Sequence, residues 1–332
     1  NGKTTTKELL SHILSSQMNV MSTRGNYNST IGVPMSIFEC SLEIDVAIIE
    51  MGANKPGEIE YICDIAKPDM GIITNVSEAH IEHFGSIEAI AKTKSALFSS
   101  LPNTGIAFVN VDDKYISKMS IPCTSIEYSI SKTTDYYAKI SNKQKKVEIK
   151  GTTIKIFPPS LTSSINALAT FTISSYLGIN SKVIKHKIES FNPPTGRGNI
   201  VRIKDITIIN DSYNANLEST KSGVKKLITI SNEYRKIVVI GDMLELGKKG
   251  VNHHKQLGRF LSNQNIDAIF AFGKLTEHTI KELNQREKKS QFFINKNDLI
   301  VELKKYLMNN DHIYLKGSRG MKMEEIIQEL KK

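Results

Sequence analysis

Cysteine is scarce in this 332-residue sequence: Cys40, Cys63 and Cys123 are the only three. Their spacing matches no metal-ligand pattern and an odd number cannot all pair. Neither a cysteine zinc site nor a disulfide scaffold is expected, and the usage fits a reducing, cytoplasmic compartment. Long apolar runs are missing too. Val46–Ile49 and Ile237–Ile240 fall far short of the roughly 20 residues that cross a bilayer. Aromatic residues make up 7% of the chain, and few of them interleave with the basic clusters at Lys143, Lys145 and Lys146 and at Arg286, Lys288 and Lys289. The net charge of +10, from 44 basic and 34 acidic residues, therefore lacks the stacking partners of a nucleic-acid surface. It is assigned to solvated surface with a bias toward small anions such as nucleotides. Internal repeats, low-complexity blocks and coiled-coil heptads are also absent, and no initiating Met opens the chain.

What is present begins at the first residue. Asn1-Gly2-Lys3-Thr4-Thr5-Thr6-Lys7-Glu8 has the form of the second half of a P-loop, G-x-x-x-x-G-K-[ST]. In that motif backbone N–H groups and a helix N-terminus cradle phosphates, the Lys offsets their charge and the hydroxyl meets Mg²⁺. Gly-Lys-Thr alone also arises by chance at helix starts. Leu9, Leu10, Ile13 and Leu14 then recur at helical spacing, as a loop that opens a helix requires. The leading strand and first glycine are expected upstream, so the sequence is taken as a fragment entered within its P-loop.

Further along, Asp45–Glu50 holds a continuous apolar run closed by a carboxylate, which predicts a buried parallel strand with Glu50 at its carboxyl edge. Ligands gather at that edge in open α/β sheets. Met70–Val76 repeats the pattern, helical spacing covers Ile87–Leu101, and Gly105–Asn110 gives another strand. A Lys-, Ser- and Thr-rich stretch from Tyr128 to Phe157 suggests a small antiparallel excursion, and Ser164–Leu177 returns to helix. The Pro- and Gly-rich segment Phe191–Gly198 has the composition of a hinge. Strands at Ile206–Asn210, Lys236–Gly241, Ala268–Phe272 and His312–Lys316, separated by helical periodicity, then predict a second doubly wound unit. The fold class is α/β: a P-loop ATPase domain with a mostly parallel sheet over 1–194, then a Rossmann-like doubly wound domain over 195–332.

Phosphate chemistry needs a hard cation, and Mg²⁺ takes oxygen ligands while retaining water. Thr4 and Glu50 form the natural pair, Glu50 standing where a Walker-B acid would. His80 follows a strand end in Asn75-Val76-Ser77-Glu78-Ala79-His80, in the company of Lys92 and Lys94. A lone histidine is more often structural; this neighbourhood favours function.

At this point seven stretches carry a resemblance: NGKTTTKE from Asn1, TRGNYNSTIGVP from Thr23, IEMGANKPGEI from Ile49, ITNVSEAHIEHFGS from Ile73, DSYNAN from Asp211, GDMLELG from Gly241 and KGSRGMKME from Lys316. In this order the sequence resembles the Mur ligases of peptidoglycan synthesis. EMGAN, DSYNAN and GDMLELG resemble the MurF branch, which adds D-alanyl-D-alanine to UDP-N-acetylmuramoyl tripeptide. The resemblance implies the central and C-terminal domains of a three-domain, cytoplasmic, monomeric bacterial enzyme that serves cell-wall biogenesis, cell shape and division. ATP would phosphorylate the peptide carboxylate and the incoming amine would displace phosphate.

By the same resemblance Asn1, Gly2, Lys3, Thr4, Thr5 and Asn75 surround the phosphates, with Lys3 on the β- and γ-phosphates. Thr4 and Glu50 hold one Mg²⁺, and His80 helps hold a second. Lys94 resembles the lysine that the family converts with CO₂ to a carbamate ligand, with Lys92 as the alternative position. Asn166 resembles the adenine contact, Arg197 the hinge arginine near the phosphates and Asp211 the ribose acid. Asn26, Asn28 and Asn54 would face the muramoyl peptide. Tyr213, Asn214 and Asn216 would shape the cleft, and Lys316, Ser318 and Arg319 the side of the incoming dipeptide. Departures from the family pattern are Thr162-Ser163 in place of His-Asn, Asn210 in place of an acid, and Leu217 in place of Pro. Another Mur or folylpolyglutamate-type amide ligase, or a non-catalytic nucleotide-binding homologue, is the alternative. No nucleic-acid partner and no membrane span are expected.

Overall fold

The computed structural model of the chain describes residues 1–77, 81–141, 145–156, 159–283 and 289–332. Glu78, His80, Lys143, Phe157, Arg286 and Lys288, singled out above, lie outside the described residues. The chain divides into two compact units, Asn1–Phe191 and Asn192–Lys332.

The first unit opens with α1 (Lys3–Leu14), β1 (Val20–Ser22), α2 (Gly32–Phe38), β2 (Val46–Ile48), α3 (Glu58–Ala66), β3 (Met70–Ile72) and α4 (Ile81–Phe84). It continues with α5 (Ile87–Ser99), β4 (Ile106–Asn110), β5 (Thr124–Ser129), β6 (Tyr136–Ser141), β7 (Lys146–Ile149), β8 (Thr152–Lys155), α6 (Leu161–Tyr176) and α7 (Ser181–Ser190). β1 and β2 pair in parallel as a two-stranded sheet, and β3 to β8 lie side by side in chain order. β3 to β6 are parallel; β7 and β8 return antiparallel. Antiparallel pairing thus begins only between β6 and β7; β6, inside the stretch expected to be antiparallel, pairs in parallel with β5. β7 and β8 are joined by Lys150 and Gly151, both at positive φ, the backbone that a tight two-residue hairpin demands. β2 is less enclosed than its apolar run predicts. It has a single strand neighbour and Ala47 is exposed.

The core of this unit explains its helices. Leu9, Leu10, Ile13 and Leu14 of α1 are buried with Phe108, Tyr128, Val147, Ile149 and Ile154 of the sheet. α6 is buried from Asn166 to Ser174, so it forms the centre of the layer rather than a surface helix. Its first turn is capped by Ser160, whose hydroxyl accepts from the Ser163 N–H at 3.0 Å. That cap places the helix start ahead of the predicted Ser164 and engages Ser163, one of the two departing residues.

The second unit contains β9 (Asn199–Ile203), β10 (Ile206–Asp211), α8 (Leu217–Ile230), β11 (Lys236–Gly241), α9 (Gly250–Ser262), β12 (Ala268–Phe272), α10 (Thr276–Lys281), β13 (Lys289–Phe293), α11 (Lys296–Tyr306), β14 (His312–Lys316) and α12 (Glu324–Lys331). The sheet order is β13-β12-β11-β14-β10-β9, parallel except for the edge strand β9. Alternation along β14 sorts the layers. Ile313 and Leu315 pack with Leu299, Leu303, Ile326 and Ile327 of α11 and α12. Tyr314 turns the other way, against Gly223 of α8. Helices therefore cover both faces, which is the doubly wound arrangement expected. β14 inserts between β10 and β11, so the carboxyl ends of β10 and β14 bring Asp211 and Lys316 into register.

Candidate functional site

In the first unit the phosphate-loop remnant turns directly into α1. Gly2 sits at φ 80°, a conformation glycine adopts freely, and a Cβ there would stand 3.1 Å from Asn166 Oδ1. Asn166, buried on α6, is thereby brought against the loop. Thr4 is buried, and its hydroxyl donates to Glu50 Oε1 at 2.9 Å. The Asn28 amide donates to the same oxygen at 2.9 Å. The Glu50 N–H donates to Thr23 Oγ1 at 3.0 Å, and the Lys7 ammonium donates to the Thr23 carbonyl. Glu50 Oε2, also buried, has no hydrogen-bond partner.

A carboxylate oxygen left buried without a donor is costly. The arrangement fits a hard cation: the Thr4 hydroxyl meets the same carboxylate at Oε1, and Mg²⁺ needs few protein ligands when water and phosphates complete its shell. Among the described residues no group of three His, Cys, Asp or Glu side chains converges on one point. His80 lies outside the described residues.

Lys94 approaches the same loop from α5. Its ammonium donates to the Asn75 carbonyl at 2.5 Å, while the Asn75 amide donates to the Asn1 carbonyl at 2.6 Å. Burial and the neighbouring Lys3 charge push the Lys94 pKa down to about 8, partly opposed by Asp113. Lys92 is exposed, so of the two lysines Lys94 is the one joined to the loop. Asp113 accepts from the Val76, Tyr115 and Ile116 N–H groups. It was missed in the sequence although it follows a strand end, the signal that singled out Glu50. Asn26 and Asn54 are exposed on loops, and the Asn54 N–H donates to Glu58.

In the second unit the group centres on Asp211, at the end of β10. Its Oδ2 accepts from the Tyr314 hydroxyl at 2.9 Å and from the Lys316 ammonium at 2.6 Å. Lys316 also donates to the Asn214 carbonyl at 2.8 Å and is 3% exposed, so its charge is turned into the fold. Tyr314 reaches Asp211 because α8 carries Gly223 opposite it; a Cβ there would stand 2.1 Å from the hydroxyl. Burial and the Asp211 charge raise the Tyr314 pKa well above the usual phenol value. Asn210 uses Oδ1 to accept from the Ser212 hydroxyl at 2.7 Å, a role an amide fills as well as an acid. Asn216 caps α8, accepting from the Ser219 N–H at 2.9 Å. Arg197 lays its guanidinium 3.7 Å from the Tyr213 ring centroid, and Arg319 stands 5.9 Å from the same ring. Arg319 also donates to Glu324 at 2.8 Å, and the buried Ser318 hydroxyl accepts from the Leu244 N–H at 2.8 Å. Asn214 is exposed.

The Mur ligase middle domain profile matches residues 1–178, and the Mur ligase, glutamate ligase domain profile matches 196–319. The chain belongs to the Mur ligase family. Within that family it is 37% identical to the UDP-N-acetylmuramoyl-tripeptide–D-alanyl-D-alanine ligase of Buchnera aphidicola subsp. Baizongia pistaciae, over 99% of this chain and 73% of that protein. Among solved Mur ligase structures it is similar to MurF from Acinetobacter baumannii, with a TM-score of 0.90 and 27% identity over 100% of this chain and 74% of that one. It is also similar to a MurF ligase from Thermotoga maritima in complex with ADP, with a TM-score of 0.87 and 26% identity over 100% and 77% of the two chains. No helix of this Mur ligase chain, among the described residues, is long and apolar enough to cross a membrane.

Proposed function

We propose that the protein is an ATP-dependent amide ligase that joins D-alanyl-D-alanine to UDP-N-acetylmuramoyl tripeptide. The observation that carries the reading is the Thr4–Glu50 pair with its open Oε2, set behind Gly2-Lys3 at the start of α1, together with relatives that bear this ligase name.

An ionised carboxylate is a poor electrophile. Transfer of the γ-phosphoryl group of ATP to the tripeptide carboxylate gives an acyl phosphate and ADP. The dipeptide amine then attacks the acyl carbon, the C–O bond to phosphate breaks, and the amide, phosphate and a proton are released. Charge builds on the phosphoryl oxygens during transfer, so positioned cations dominate the catalysis. Lys3 meets the β- and γ-phosphates, and the N–H groups at the start of α1 add the helix-terminus field. Asn1, Thr5 and Asn75 shape the loop around them. Thr4 and Glu50 hold Mg²⁺, which supplies charge neutralisation at the phosphates when bound. His80 and Lys94 serve a second cation site. For that role Lys94 must lose its positive charge: the neutral amine adds CO₂ and releases a proton, leaving a carbamate. A pKa of about 8 keeps an appreciable neutral fraction near pH 7 to 8.

Asn166 is assigned to adenine, Asp211 to the ribose hydroxyls and Arg197 to phosphate, the last through the planar fork suited to it. Asn26, Asn28 and Asn54 serve the muramoyl peptide, Asn28 through its hold on Glu50. Tyr213, Asn214, Asn216, Lys316, Ser318 and Arg319 serve the dipeptide side. Within that group Asn216 and Lys316 act by fixing the loop. The enzyme works as a cytoplasmic monomer. The test is phosphate release by the full-length protein given ATP, Mg²⁺, UDP-muramoyl tripeptide and D-alanyl-D-alanine. Release is expected only when all four are present; turnover without the dipeptide, or with a different amine in preference to it, would refute the reading.

A further inference from the structure

The second unit buries a lysine that the ligation chemistry leaves unused. Lys226, on α8, is 9% exposed, and its ammonium donates to the Gly198 carbonyl at 2.8 Å. Burial pushes its pKa down to about 8; Asp211 opposes the fall and Lys316 adds to it. An ammonium in such a place is unfavourable for folding, since an apolar chain of the same length would fill the space without desolvating a charge. Packing does not account for it. The turn it holds does.

That turn carries Arg197 between two glycines at positive φ, Gly196 at 77° and Gly198 at 82°. Each flank is fixed. The Gly196 carbonyl accepts from the Tyr213 N–H at 3.0 Å, and the Gly196 N–H donates to Asn199 Oδ1 at 2.8 Å. The Gly198 N–H donates to the Asn210 carbonyl at 2.7 Å, and the Gly198 carbonyl accepts from Lys226. Glycine at these positions is permissive backbone, so the turn holds its shape only through such partners. Of the four contacts, the one from Lys226 is charge-assisted and comes from a helix, while Asn199 and Asn210 stand on β9 and β10.

We propose that Lys226 is a positioning residue for Arg197: its ammonium clamps the Gly198 carbonyl to α8 and so fixes the turn that aims the Arg197 guanidinium. The proposal rests on the assignment of Arg197 to nucleotide phosphate made above.

A double-mutant cycle on the full-length protein tests it, with dipeptide-dependent phosphate release and melting temperature measured for wild type, Lys226→Met, Arg197→Ala and the double variant. Lys226→Met is expected to raise the KM for ATP about tenfold, to leave kcat within about twofold and not to lower the melting temperature. In the Arg197→Ala background the same substitution is expected to change that KM by less than about twofold. Losses that multiply would overturn the proposal. So would a lowered melting temperature with unchanged KM, which would make Lys226 a brace of the fold only. A normal KM in Arg197→Ala would remove the assignment of Arg197, and the proposal with it. A raised KM in Arg197→Ala beside a normal one in Lys226→Met would leave that assignment standing and remove Lys226 alone. Should Lys226→Met fail to fold, Lys226→Gln, uncharged and too short for the carbonyl, carries the same cycle.

Discussion

Two strand-end carboxylates, one in each unit, meet opposite environments. Glu50 has both of its hydrogen bonds on Oε1, from the neutral Thr4 hydroxyl and the neutral Asn28 amide, and nothing on Oε2. Asp211 takes a phenol and an ammonium on Oδ2. The first leaves one oxygen's lone pairs open in a buried place, which suits a hard cation. The second is already neutralised by Lys316, so it gains nothing from a metal and is suited to accept from uncharged hydroxyls. Both stand at the carboxyl end of a strand, where ligands gather in open α/β sheets. On the proposed reading their donors divide the work, with charge at Glu50 and shape at Asp211.

That contrast is broken most severely at Glu50. Glu50→Gln replaces the open oxygen's charge and is expected to reduce kcat about a thousandfold, beyond recovery by added Mg²⁺, in the phosphate-release assay. Lys94→Ala comes next, with a loss of about a hundredfold. In the wild type, enzyme stripped of CO₂ should regain activity with bicarbonate more completely at pH 8.5 than at pH 7. The folded-state pKa of about 8 lies below the unfolded value of about 10.4. The neutral amine that adds CO₂ therefore grows in as pH rises through 8, and the cost of burying the charge, fully present below about 8, is relieved as pH rises from there toward the unfolded value. Recovery that is greater at pH 7 would contradict the carbamate. Asp211→Asn keeps the shape and removes the charge; it is expected to raise the KM for ATP about tenfold with kcat little changed, measured by varying ATP at saturating peptide. Tyr314→Phe takes one donor from Asp211 and is expected to cost about 1 to 2 kcal/mol of stability in urea unfolding. Smallest is Asn216→Ala, at about 1 kcal/mol for a lost helix cap, with KM values near wild type.

Much of this was legible in the residues. Strands ending in carboxylates, and helices opening on Gly2 or at helical spacing, announce themselves because burial and backbone geometry act locally. β11, β12 and β14 stand at their predicted bounds because each is a continuous apolar run in a parallel sheet. β13 escaped because Lys289-Ser290-Gln291 opens it with polar residues at a sheet edge, and β9 because it follows directly on a Pro- and Gly-rich segment. Side-chain partnerships were least visible. Nothing in the order of residues says that Gly223 makes room for Tyr314, or that Lys226 reaches Gly198, since these contacts join positions far apart in the chain. The resemblance sets Lys316 on the side of the incoming dipeptide; its ammonium is enclosed on Asp211 and Asn214, a partnership set by the β10–β14 register.

The contrast between the two carboxylates is tested most directly by Mn²⁺ in place of Mg²⁺, titrated into the full-length protein with ADP and followed by electron paramagnetic resonance. Wild type and Asp211→Asn should bind the ion alike while Glu50→Gln loses it. Retention of Mn²⁺ by Glu50→Gln, or its loss from Asp211→Asn at saturating ADP, would contradict the account.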